Sequence, residues 1–288
     1  MTLTLDRISK PPVWLGRLFD RIACGVDGTE NSDVAVAQAV RLLAARRTLE
    51  LVAVIERTTG TRMPAAAGEV DRMYEEAQRA LRDGRQRCPH AEPCLLYGDP
   101  GPILCSAARD TDATLLAIGA PASSRPTGIV LGSVGTHVLH RAPCSILIAR
   151  GKLEGAGFPR SIVVGNDGSA YGAAASFVAK ELAHRFGATL RVVFATGGKP
   201  VQTAQLALEG ELEWSPETPV NALVRASAEA DLLVVGSRGL HGVGVLGSVS
   251  ERVGHLAPSS VLVLREPAGF TPVDAVGLID EEVPDLEC

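Results

Sequence analysis

Ile22-Ala-Cys-Gly-Val-Asp27-Gly-Thr29 and, 140 residues further on, Ile162-Val-Val-Gly-Asn-Asp167-Gly-Ser169 are two versions of one phrase, a short apolar run followed by an Asp-Gly-Thr/Ser turn. A phrase that recurs at a fixed offset marks a duplicated structural unit, and the search for more of it comes before any single helix or strand. Ala113-Thr-Leu-Leu-Ala-Ile-Gly119 matches Ala230-Asp-Leu-Leu-Val-Val-Gly236 at an offset of 117. Gly132-Ser133-Val134 matches Gly247-Ser248-Val249, and Ala142-Pro-Cys-Ser-Ile-Leu-Ile-Ala matches Ala257-Pro-Ser-Ser-Val-Leu-Val-Leu, both at 115. The second copy is therefore 23 residues shorter between its first and fourth apolar runs, and two shorter in the loop before Gly247.

Within the first copy the apolar runs 21–26, 49–55, 93–97, 113–119 and 145–149 are bounded by Gly, Asp or Pro and read as buried parallel strands. Between them lie helical segments. Val36, Val40 and Leu43 share one face of a helix over 31–47, Glu69 to Arg87 has the length and composition of another, and two shorter helices follow Pro100 and Gly132. The second copy repeats the strands at 161–165, 189–195, 210–214, 230–236 and 260–264, its missing 23 residues falling on the helix after the second strand. Alternating strands and helices predict an α/β fold: two tandem doubly wound, five-stranded parallel-sheet domains of Rossmann-like type. The division is an extension over 1–20, a first domain over 21–151, a Gly- and Pro-rich linker over 151–159, a second domain over 160–266, and an acidic tail over 267–288 read as exposed and partly disordered.

Composition agrees with two domains and narrows the function. A chain of 288 residues is long for one domain and comfortable for two. It is 46% hydrophobic and 21% charged but only 4% aromatic, so its core is built from small aliphatic side chains. A net charge of −5 without a basic cluster excludes a nucleic-acid footprint. Asp6, Arg7, Lys10, Pro11 and Pro12 interrupt the start of the chain, so neither a signal segment nor a membrane span is expected and the protein is placed in the cytoplasm. The six cysteines are expected as free thiols, with Cys88, His90 and Cys94 at most half of a metal site, so no metal is assigned.

The chemistry is expected where the two repeated turns meet. In a parallel sheet the loops after the first and fourth strands open on the same edge, which places Asp27-Gly28-Thr29 and Asp167-Gly168-Ser169 beside the glycine-containing loops after Gly119 and Gly236. The aspartates suit hydroxyl or amino donors of a nucleoside, although Asp-Gly is also an ordinary turn or helix cap. Gly236-Ser-Arg238-Gly239, followed by Gly247-Ser248 at a helix start, is a phosphate cradle in physical terms: glycines admit an anion close to backbone amides, and the helix N-terminus favours negative charge. The first copy offers Gly119-Ala-Pro-Ala122, the cation Arg125, and Gly132-Ser133. Gly242-Val-Gly244-Val-Leu-Gly247 satisfies the dinucleotide pattern but follows the fourth strand instead of the first, so it is set aside. His137 and His140 share a helix face with no acidic partner in the local sequence, and are read as surface or packing residues.

From about residue 21 to 266 these residues resemble the universal stress protein family, whose ATP-binding members carry G-x2-G-x9-G-S/T after the fourth strand and an Asp at the end of the first. The first copy matches through Asp27, Gly119, Gly132 and Ser133 but has Ala122 at the second glycine; the second matches through Asp167, Gly236, Gly239, Gly247 and Ser248 with a spacing of seven. The resemblance further implies that Val54 and Ala195 meet an adenine ring and that Val134 and Val249 present helix-start amides. It also implies that the runs 145–149 and 260–264 pair, as an internal pseudo-dimer or in a homodimer. The function so implied is an ATP-binding stress-response regulator, with ADP or AMP as alternative ligands, with or without Mg²⁺, and no catalytic residues. A scaffold with degenerate sites, and a nucleotide-cleaving or flavin-binding enzyme of the same superfamily, are the other readings.

Overall fold

The computed structural model describes residues 16–56, 67–120, 131–151, 157–195, 211–237 and 248–265. In chain order these form β1 (Arg21–Val26), α1 (Glu30–Leu42), β2 (Thr48–Ile55), α2 (Ala67–Arg87), β3 (Glu92–Tyr97), α3 (Pro100–Asp110), β4 (Leu115–Gly119), α4 (Ser133–Arg141) and β5 (Ser145–Ala149), then β6 (Ser161–Gly165), α5 (Ala170–Phe186), β7 (Thr189–Ala195), β8 (Glu211–Ser215), α6 (Pro219–Ser227), β9 (Leu232–Gly236), α7 (Ser248–Leu256) and β10 (Ser260–Leu264). All ten strands join one sheet in the order β3-β2-β1-β4-β5-β10-β9-β6-β7-β8. Each half is parallel throughout and reads 3-2-1-4-5, so strand order reverses between β1 and β4, and again between β6 and β9.

The halves meet where β5 and β10 pair antiparallel, Ile146 opposite Val263, Leu147 opposite Leu262 and Ile148 opposite Val261. Leu147 and Leu262 are equivalent positions of the repeat, so a pseudo-two-fold axis passes through that pair. The pairing consumes the two edges that would otherwise template aggregation. Strand side chains alternate between two cores. Cys24, Leu51, Ala117, Leu147, Leu262 and their neighbours pack under α1, α2 and α5. Ala23, Val52, Leu116, Ile148, Val261 and theirs pack under α3, α4, α6 and α7. Both cores run unbroken through the dyad.

Helix starts follow the local code. Thr29 and Ser169 cap α1 and α5, their hydroxyls accepting from the Ser32 and Gly172 amides at 3.3 and 3.2 Å. Helix ends did not. The pattern predicts α1 to 47, yet it stops at Leu42, because the Ala44 amide donates to the Phe19 carbonyl and the Thr48 amide to that of Asp20. Strands β4 and β9 start two residues later than the apolar runs suggest, since the amides of Ala113 and Ala230 close α3 and α6 instead. The shortened helix of the second copy, most of the linker, and the tail lie outside the described residues.

Burial sets the cysteine chemistry. Desolvation pushes the Cys24 and Cys144 thiols up to about 12. A folded thiol that stays protonated to pH 12 when its unfolded form titrates near 9.0 contributes stability below pH 9 that is lost as the pH climbs from 9 to 12. Maleimide labelling at neutral pH followed by peptide mapping is expected to mark Cys88 and Cys94 and to leave Cys24, Cys105 and Cys144 unmodified until denaturant is added.

Candidate functional site

At the first switch point the carboxyl ends of β1, β2 and β4 and the start of α4 enclose a crevice of about 410 Å³, within the range of small-molecule sites. Its apolar wall is Val52, Val54, Leu104, Ile118 and Leu131. Asp27 and Thr29, from the turn after β1, and Gly132, Ser133, Val134 and Gly135, from the start of α4, line it as well. Among the described lining residues Asp27 is the sole ionisable side chain.

Asp27 performs the turn and cap task among those that the sequence left open. Its Oδ1 accepts the Thr29 amide at 2.9 Å and the Thr29 hydroxyl at 2.6 Å, which orients Thr29 as the cap of α1. Among the described residues its Oδ2 has no hydrogen-bond partner and is available to a ligand. The intervening Gly28 has φ +77°, a conformation a side chain resists. Asp167 repeats the arrangement, accepting the Ser169 amide at 3.0 Å and hydroxyl at 2.5 Å around Gly168 at φ +80°.

The N-terminus of α4 lines the same crevice. Gly132 precedes the first turn and its carbonyl accepts the Thr136 amide, so the amides of Ser133, Val134 and Gly135 precede the first intrahelical donor. A Cβ built on Gly132 meets nothing within 4 Å among the described residues.

Gly119 and Gly236 also have a packing role that the motif does not record. A Cβ on Gly119 falls 2.3 Å from the Asn31 carbonyl oxygen, and one on Gly236 falls 2.3 Å from that of Tyr171. These glycines admit the first turns of α1 and α5 against the strand ends. Gly119 also lines the first-half crevice.

Of the expected site residues, Asp27, Thr29, Val54, Gly119, Gly132, Ser133 and Val134 come together in the first-half crevice. Gly28 supplies the turn and is not part of the wall. In the second half Asp167, Gly168, Ser169, Ala195, Gly236, Ser248 and Val249 occupy the equivalent strand and helix ends, with Ala195 beside Ser215. Ala122, Arg125, Arg238, Gly239 and Gly247 lie outside the described residues. The sequence reading missed Val52, Leu104, Ile118 and Leu131. The signal was present in the strand alternation, which puts Val52 and Val54 on one face, but nothing local says which apolar residues a crevice will reach. It also missed Asn166, buried and donating to the Ser176 hydroxyl at 2.8 Å while accepting the Gly168 amide at 2.8 Å; this polar pair replaces the apolar Val26 of the first half.

A family model described as the universal stress protein family matches residues 18–150 and 206–265. The universal stress protein Rv2623 of Mycobacterium tuberculosis is 29% identical over 288 residues, covering 85% of this chain and 96% of its own length. Rv2005c of the same organism is 28% identical over 289 residues, with 85% and 97% covered. Among solved structures, a universal stress protein from Archaeoglobus fulgidus superposes with a TM-score of 0.69 at 23% identity, covering 86% of this chain and 98% of the other, which supports the tandem fold.

Proposed function

The chain belongs to the universal stress protein family, and within it we propose that this protein binds an adenine nucleotide, ATP or ADP, in its first-half crevice and acts as a nucleotide-dependent regulator instead of a fast enzyme. One observation carries the reading: a carboxylate with one oxygen unpartnered among the described residues and a set of helix-start amides line the same apolar crevice at a strand-order reversal. The parts match the ligand piece by piece. Val52 and Val54 suit the face of a base, the Asp27 Oδ2 accepts from ribose hydroxyls, and the amides of Ser133, Val134 and Gly135 receive phosphate at the positive end of α4.

The same wall argues against rapid turnover. Phosphoryl transfer needs an oriented nucleophile and stabilised charge on the transferred group. The described wall offers one carboxylate, half of it already engaged by Thr29.

Gly132→Val is the clean test, because a Cβ added there meets nothing within 4 Å among the described residues and Gly132 immediately precedes the helix-start amides. The parental protein is expected to retain adenine nucleotide through gentle purification, or to gain several degrees in Tm with added ATP. The folded variant is expected to lose at least about tenfold in affinity, a difference of about 1.4 kcal/mol. An empty parent with no thermal response defeats the nucleotide reading and leaves a scaffold.

A further inference from the structure

We infer that the protein carries a transition-metal site of the zinc class on its pseudo-two-fold axis, formed by His140 of α4 together with Glu251 and His255 of α7. The ring and carboxylate donor atoms of the three residues all lie within 4.8 Å of one another. His140 Nε2 and Glu251 Oε1 are 3.3 Å apart. A tetrahedral ion with bonds of about 2.0 to 2.1 Å requires donors roughly 3.3 Å apart, so one edge of the coordination shell is already set. Glu251 and His255 are one turn apart on α7 and therefore share its face. Bringing the third donor to the same spacing takes an adjustment of at most about 1.5 Å by partly exposed side chains, within ordinary rotamer motion.

The placement follows from the repeat. His140 and His255 are equivalent positions at the 115-residue offset, so β5–β10 pairing brings them to the axis from opposite halves. The acid has no twin, since the equivalent of Glu251 is Thr136. A tandem chain can hold this asymmetric pair of imidazoles with one carboxylate, whereas a dimer of identical halves would place two acids or none. Two nitrogens and one oxygen suit Zn²⁺, Co²⁺, Ni²⁺ or Cu²⁺ better than Mg²⁺ or Ca²⁺, and a fourth position stays open to water. Bound there, the ion would tie the last turn of α4 to α7 and so staple the halves together.

Titration of the intact, tag-free chain with Zn²⁺ by calorimetry and with Co²⁺ by absorption tests the assignment. The expected result is one ion per chain, a cobalt spectrum of tetrahedral nitrogen and oxygen ligation without a thiolate charge-transfer band, and a zinc-dependent rise in Tm. His255→Ala leaves the His140–Glu251 contact in place and is expected to weaken binding at least tenfold, as is His140→Ala. His137→Ala, on the same helix as His140, is expected to leave binding unchanged. Absence of saturable binding, a thiolate band that assigns the ion to Cys88 or Cys94, or binding that survives the His140→Ala and His255→Ala double change overturns the site. The cobalt spectrum of the parental chain gives this answer even if a variant fails to fold.

Discussion

Gly119→Ala is expected to destabilise the protein by about 3 kcal/mol, while Gly132→Ala, thirteen residues away in the same family motif, changes stability by no more than about 0.5 kcal/mol. Both glycines were expected at the phosphate cradle, and only the packing separates them. A methyl on Gly119 lies 2.3 Å from the Asn31 oxygen and 2.4 Å from its carbonyl carbon, far inside the roughly 3.5 Å of a favourable nonbonded contact. The obstacle is backbone in the first turn of α1, so no rotamer change relieves it. The helix must back away from β4, and Val34, Ala35 and Val36 must leave the core they fill. A methyl on Gly132 meets nothing within 4 Å among the described residues. Gly236→Ala repeats the Gly119 effect against Tyr171. Urea unfolding of the three variants measures the contrast, and equal midpoints for Gly119→Ala and Gly132→Ala would show that α1 tolerates displacement. Gly119 variants are consequently poor probes of nucleotide binding, since lost affinity and lost packing would coincide.

Arg265→Met is expected to cost a similar amount, about 3 kcal/mol, and to uncouple the halves. Arg265 is 4% exposed, and its guanidinium donates across the dyad to the carbonyls of Ala142, at 2.7 Å, and Leu139, at the C-terminus of α4. Its backbone amide donates to the Ser145 hydroxyl at 3.0 Å. Arg150, its equivalent and 3% exposed, reaches the other way to Gly254 at 2.6 Å at the end of α7, while its backbone amide meets Ser260 at 3.0 Å. Each half therefore supplies a cation to the negative end of the other half's last helix. Removing the fork leaves two buried carbonyls unpaired, at about 1 to 3 kcal/mol each, offset in part by no longer burying a charge. Lysine cannot replace it, because one ammonium does not span both acceptors.

The two arginines are not equal. Arg150 Nε is buried without a hydrogen-bond partner among the described residues, and desolvation pulls the Arg150 pKa down to about 10. Its second carbonyl contact, to Ser259, is 3.5 Å. Arg150→Met is accordingly expected to cost less than Arg265→Met. In a Trp14→Phe background, loss of coincidence between unfolding transitions followed by Trp214 fluorescence, which then reports the second half, and by far-ultraviolet circular dichroism would show the uncoupling directly. Wild-type stability in Arg265→Met would mean that water or the packing of β5 on β10 alone satisfies the interface.

A further bond of this kind joins the halves on the other face. Arg185 donates to the carbonyls of Leu42 and Leu43 at 2.9 and 2.8 Å, closing the C-terminus of α1 from α5. That contact explains why α1 can end at Leu42 against its own apolar pattern: its last carbonyls are met by another domain. Nothing in the stretch from Glu30 to Arg47 records this partner, which lies more than 140 residues away.

What the sequence determined by itself rests on repetition and local rules. Ile22–Thr29 and Ile162–Ser169 identified the duplicated unit, and short apolar runs separated by helical segments implied a parallel, doubly wound sheet in each half. The Asp-Gly-Thr/Ser turns marked the starts of α1 and α5, because a capping hydroxyl acts within three residues of its own position. Seven of the expected residues therefore line one crevice. The tertiary structure decided everything that depends on long-range approach: that Gly119 and Gly236 make room for a helix backbone, that Val52, Leu104 and Ile118 form the apolar wall, and that His140 has an acid and a second histidine across the axis after reading as an unpartnered surface residue. The physical reason is the range of the forces involved. Capping, turn geometry and side-chain periodicity act between near neighbours and leave their trace in the local sequence, whereas steric contact and hydrogen bonding between halves depend on a β5–β10 register that exists only once both sheets have formed.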